Sequence, residues 1–128
     1  MKTCYAVGLA MLVGFGFGAI SVQGLHAQAK PKAYIVTESE LLDPAALAAY
    51  NKQFEAAVGA FGRTTVVPSG GKIVPSVGTP PKRFGVSQWE SLEKAQAWLN
   101  SAERKTLDAQ RDKAFKVVRR FLVEAPAN

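Results

Sequence analysis

Tyr50, Arg63, Glu90 and Trp98 are the side chains through which this sequence could hold a ligand. A phenol gives or takes a hydrogen bond, a guanidinium grips a carboxylate through two parallel N–H groups, and an indole stacks on a planar ring. Glu90, at the end of a predicted strand, acts as a base only if burial raises its pKa. Each of the four also has an ordinary structural use. Trp98 suits a core, and Tyr50 suits a helix-packing position with its tip in water. Arg63, directly after Gly62, suits carbonyl capping or plain solvation. No nucleophile–base–orienter set accompanies them. Ser91 and Ser101 stand where helices begin, with no histidine at hand to activate them, so both read as helix caps.

The chain of 128 residues has one cysteine, Cys4, and one histidine, His26. Both fall in a segment built like a secretory signal. Lys2 comes first, then an uncharged apolar run over residues 5–22, then Ala27-Gln28-Ala29 as a cleavage pattern. The competing reading is an uncleaved membrane span; Gly8, Gly14, Gly16 and Gly18 weaken it, because each lowers helix propensity. The expected organisation is a signal peptide over residues 1–29, cut after Ala29, and one domain over residues 30–128. The product would be secreted or periplasmic, with no stable membrane insertion after cleavage.

The processed chain would keep neither cysteine nor histidine. That excludes a thiol nucleophile, a disulfide framework and an imidazole base. It also removes the usual zinc, copper and haem ligands, so no metal and no cofactor are expected. The net charge of +6 is scattered and not gathered in one block, which argues against nucleic acid as a partner. Without disulfides, a domain of about 100 residues depends on its apolar core or on a second subunit.

The elements that would position the candidate residues follow from local pattern. Residues 33–38 are rich in β-branched and aromatic types and predict a strand. Asp43 and Pro44 open a helix whose stripe is Leu47, Tyr50, Phe54, Val58 and Phe61, ended by Gly62. Residues 63–67 predict a second strand, stopped by Pro68, with Ser69-Gly70-Gly71 as a turn and 72–74 as a short edge pairing. Residues 82–89 are the third strand. Ser91 opens a second helix with Leu92, Ala95, Trp98, Leu99 and Ala102 on its apolar face, and Ser101 re-caps a segment running to about Ala114. Residues 115–124 close the chain as a fourth strand. The class is α+β, with the ferredoxin-like order βαββαβ. Right-handed crossovers give a four-stranded antiparallel sheet of order 4-1-3-2, with two helices on one face.

Two helices cover one face of a sheet, yet both faces look apolar. Ala33, Ile35, Phe84, Val86, Val117, Phe121 and Val123 are assigned to the helices. Tyr34, Val36, Val67, Trp89, Val118 and Leu122 are then left on the other face, as a patch large enough to mark an interface. A second copy of the same face is the simplest cover, which predicts a homodimer. Glu38 and Arg120 project from this second set and could pair across neighbouring strands.

Over nearly all of residues 32–124 the sequence resembles the DUF1330 family, members of the dimeric α+β barrel group. Asp43-Pro44 with Tyr50, Gly62-Arg63 and Gly70-Gly71 carry part of the resemblance. The strongest part is Trp89-x-Ser91 leading into Ala95, Ala97-Trp98, Asn100-Ser101 and Glu103. Departures are Leu99, where an aromatic is usual, Ala102, near which a proline is usual, and Arg104, where a tyrosine is usual. The resemblance implies a ferredoxin-like subunit in a face-to-face dimer, and no known reaction. Two functions remain. One is an exported dimer that binds a small apolar or aromatic ligand. The other, by fold analogy alone, is a cofactor-independent, monooxygenase-like enzyme.

Overall fold

The computed structural model describes residues 30–127. The expected signal peptide over residues 1–29 lies outside the described residues. From Pro31 onward the described residues form one compact unit.

Strand β1 (Ala33–Leu41) leads to helix α1 (Pro44–Val58). Asp43 starts the helix because its carboxylate accepts from the N–H groups of Ala45 (2.9 Å) and Ala46 (3.3 Å), while Pro44 needs no acceptor at the first position. A 3-10 turn at Gly59–Phe61 tightens the end, and Gly62 closes it in the left-handed region (φ 73°). Strands β2 (Thr64–Val67) and β3 (Arg83–Trp89) follow. Residues 72–74 form no strand, unlike the expectation; four prolines between 68 and 81 remove the donors that a ladder there would need.

Three short helices come next: α2 (Leu92–Asn100), α3 (Ala102–Thr106) and α4 (Asp108–Ala114). Ser91 Oγ accepts from Lys94 N at 3.2 Å. Ser101 does two jobs at the break: its hydroxyl donates to Trp98 O (2.7 Å) and accepts from Arg104 N (3.1 Å), closing α2 and opening α3. Strand β4 (Phe115–Glu124) completes a four-stranded antiparallel sheet of order β2-β3-β1-β4. Element order and sheet order agree with those read from the sequence. This is the ferredoxin-like α+β fold.

The faces of β3 and β4 differ from the expectation. Residues directly opposite across a ladder share a face. Ala33 lies opposite Trp89, and Ile35 opposite Leu122, so Trp89 and Leu122 face the helices and not the open side. Space decides this: the indole of Trp89 fits over the small side chain of Ala33, and both are completely buried or nearly so. The open face instead carries Tyr34 and Val36, with Val86 and Phe84 on β3 and Phe121 and Val123 on β4. A bulge between Glu38 and Ser39 leaves Val118 outside the register. Glu38 therefore meets Arg119, through a bidentate pair (3.1 and 2.9 Å), while Arg120 points to the helix side.

The core lies between sheet and helices. Tyr50 and Val58 from α1, Ala95 and Trp98 from α2, and Leu107 pack on Ala33, Ile35, Trp89 and Phe115. Trp98 meets Trp89 nearly parallel at 6.4 Å and Phe61 edge-on at 5.1 Å. It joins α1, α2 and β3 in one contact set, so Trp98→Ala is expected to cost about 3–5 kcal/mol of unfolding free energy. Urea denaturation of the variant beside the unaltered chain measures this; a loss below about 1 kcal/mol would contradict the assignment.

Candidate functional site

The layer between α1 and the sheet is not filled along its whole length. On the helix side of β1 the side chains shrink from Ile35 to Thr37 and Ser39. On β3 they shrink from Trp89 to Ser87 and Gly85. Thr37 lies opposite Gly85, so the smallest residues of the two central strands coincide. A side chain on Gly85 would run into the Ser69 hydroxyl. The result is a cavity of about 340 Å³ over this small-residue floor. Its rim holds the exposed residues Asn51, Glu55, Val67, Pro68 and Ser69.

One wall is aromatic. Tyr50 stacks near Phe54 at 5.6 Å and meets Phe115 edge-on at 5.3 Å; Phe54 meets Trp98 edge-on at 5.6 Å. Arg63 lies over the Phe54 ring, 4.8 Å from its centre, and is ion-paired to Glu55. Its Nε is buried without a hydrogen-bond partner.

The inner end is cationic. Arg104, only 4% exposed, donates Nη1–H to Asp108 Oδ1 at 2.5 Å, and Arg111 donates to the same oxygen at 2.7 Å. Arg120 rises from β4 and donates Nε–H to Thr37 Oγ1 at 3.2 Å. Burial pushes the Arg120 guanidinium down to about 10, and the neighbouring charge of Arg104 acts in the same direction. Burial pushes the Tyr50 phenol up, with Arg104, Arg120 and Arg111 opposing the shift. Tyr50 is thus a neutral hydroxyl at physiological pH, able to donate.

Of the residues read from sequence, Tyr50, Arg63 and Trp98 line this cavity together. Glu90 does not. It is exposed and bound to Lys94, whose hydrogen bond and charge hold its carboxyl below the usual range, the reverse of what a base needs. Thr37, Ser39, Arg104 and Arg120 were not singled out as site residues. Arg104 had a signal: it precedes the buried Leu107 by three residues, which places both on one helical face, and Asp108 follows four residues on as a ready partner. Arg120 had one as well, since it shares a strand face with Leu122.

Residues 32–126 match the family model described as a domain of unknown function, DUF1330. The chain belongs to the DUF1330 family. No curated protein matches this DUF1330 chain. Among solved structures it is similar to the methylated form of the protein RPA0582, at 12% identity over 85% of this chain and 91% of that one, TM-score 0.57. It is also similar to RPA0582 of Rhodopseudomonas palustris, of unknown function, at 13% identity over 86% and 93%, TM-score 0.55. A dimeric protein of unknown function with a ferredoxin-like fold, from Bacteroides fragilis, overlaps more loosely (13% identity, 77% and 96%, TM-score 0.44), too loosely to bear on this DUF1330 chain. The RPA0582 likenesses bear on the fold alone.

The Tyr50 shift gives a direct check. Its folded pKa is raised above the unfolded value of 10.0, so the stability it contributes is present below that pH and fades as pH climbs through the folded value. Ultraviolet titration of tyrosinate should show a component ionising later than an ordinary phenol, and Tyr50→Phe should remove it. An early-titrating Tyr50 would mean that the hydroxyl is not enclosed.

Proposed function

We propose that this DUF1330 protein is an exported homodimer that takes a small apolar or aromatic ligand into the cavity between α1 and the sheet. The observation that carries the reading is the cavity itself: aromatic rings on one wall, a floor of small side chains, and a rim open to solvent. Such a shape is what a small-molecule site needs, namely concavity, apolar walls and a few placed polar groups.

Dimerisation is supported by the open face. Val36, on a central strand, lies between Val86 and Phe121, and Phe121 and Val123 remain 42% and 44% exposed. All the helices pack on the opposite side. Burying a large apolar side chain is worth roughly 1.5–3 kcal/mol. A cluster left in water is a large penalty against a typical total stability of about 5–15 kcal/mol. A second copy removes it symmetrically. Export rests on the N-terminal pattern of charge, apolar run and Ala27-Gln28-Ala29.

Native mass spectrometry of the protein purified from its producing cells tests the three parts together. The expected mass is that of two chains beginning at Lys30, with a retained small molecule released on unfolding. Phe121→Asp, on the open face beside Val36, should shift the mass to one chain, whereas Lys52→Asp on the outer side of α1 should not. A chain beginning at Met1, a monomer at low micromolar concentration, or an unaltered dimer with Phe121→Asp would each refute the corresponding part.

A further inference from the structure

The cavity has apolar walls and a charged inner end, and the charge is not neutralised from within. Four arginines line it, Arg63, Arg83, Arg104 and Arg120, against the single carboxylate of Glu55 at the rim. Two of the four are matched by a carboxylate: Arg63 holds Glu55, and Arg104 is held by Asp108. Arg83 has no carboxylate, but its hydrogen bond to the Ser69 carbonyl (3.4 Å) is exposed, at the rim. Arg120 lies deeper, in a part-buried position. Its Nε–H goes to Thr37, and it pairs with no carboxylate among the described residues, which leaves both terminal amino groups without an acceptor there.

A guanidinium partly withdrawn from water without a counter-charge is costly to the fold. The depressed Arg120 pKa, about 10, reports the same cost. Two residues along β4 from the helix-facing Leu122, an apolar residue would serve the core better. We infer that the inner end receives a carboxylate, so that the ligand is an aromatic or apolar monocarboxylate held by Arg120, with the Tyr50 hydroxyl as a second donor and the aromatic wall against its body. This rests on the proposed use of the cavity for ligand binding and names the class of ligand. The two free amino groups of Arg120 form the fork that matches a carboxylate. At the inner end one unmatched guanidinium beside a neutral phenol balances a single negative charge, since Arg104 is already matched by Asp108 and Arg83 lies at the rim, so a monoanion fits better than a phosphate dianion.

Titration calorimetry with 2-naphthoate and with 2-naphthamide, the same ring system without the charge, tests the inference on the purified protein. The acid should bind at least about tenfold more tightly than the amide, the scale of one charge-assisted hydrogen bond. Arg120→Gln should abolish that preference while leaving the melting temperature equal or higher, because a partly buried, uncompensated charge has been removed. Lys52→Gln, away from the cavity, should change neither affinity. Should Arg120→Gln fail to fold, Arg120→Lys keeps the charge without the fork and should weaken the acid several-fold. Equal affinity for acid and amide would overturn the carboxylate assignment and leave cavity binding standing. Binding of neither would overturn both. A preference that survives both Arg120 variants would remove Arg120 from the site.

Discussion

Two tryptophans from different layers meet between helix and sheet, and the rest of the molecule is arranged around that contact. Trp89 comes from β3 and Trp98 from α2, with their rings 6.4 Å apart and nearly parallel. Ala33 opposite Trp89 and Ala95 on α2 are both fully buried, so small residues make room for large ones at this end. Toward Thr37, Gly85 and Ser87 the side chains on the floor become small without large partners above them. A helix layer held off the sheet by bulky rings at one end leaves space at the other. The cavity follows from that difference in volume.

The polar groups in this space carry a cost that the apolar core does not. Arg104 is almost wholly buried yet tied to Asp108, which also takes a bond from Arg111, itself paired with Asp112, so two cations meet two carboxylates. Such a network is neutral to stability at best, since desolvation offsets attraction. Arg120 and Tyr50 share the same enclosed volume, and burial shifts each away from its ionised form. A fold that tolerates these groups next to an aromatic wall is less stable than one with leucines in their place. Binding sites commonly show this trade between stability and use.

The order of elements, the helix caps and the order of the strands were legible in the sequence, because each rests on a local signal: Asp43 before Pro44, Gly62 after Phe61, Ser91 and Ser101 at helix starts. The faces of β3 and β4 were not. Both faces are apolar, so period-2 alternation could not say whether Phe84 and Val86 or Trp89 turned inward. What decided it was long-range: Ala33 opposite Trp89, and a bulge at Val118 that lets Val117 and Leu122 share the helix side. The aromatic part of the site was legible for the same reason as the helices, through the spacing of Tyr50, Phe54 and Trp98. Its inner cationic end was harder to read: Arg104 and Arg120 stand at the spacing of buried neighbours, yet a charged residue reads as surface until the packing around it is known.

A crystal structure of the protein grown with 2-naphthoate addresses the central claim most directly. The account predicts the ring system against Tyr50, Phe54 and Trp98, and the carboxylate within hydrogen-bonding distance of the Arg120 guanidinium. Naphthoate bound on the open face of the sheet, or lying in the cavity with its carboxylate turned away from Arg120 toward the rim, would contradict it.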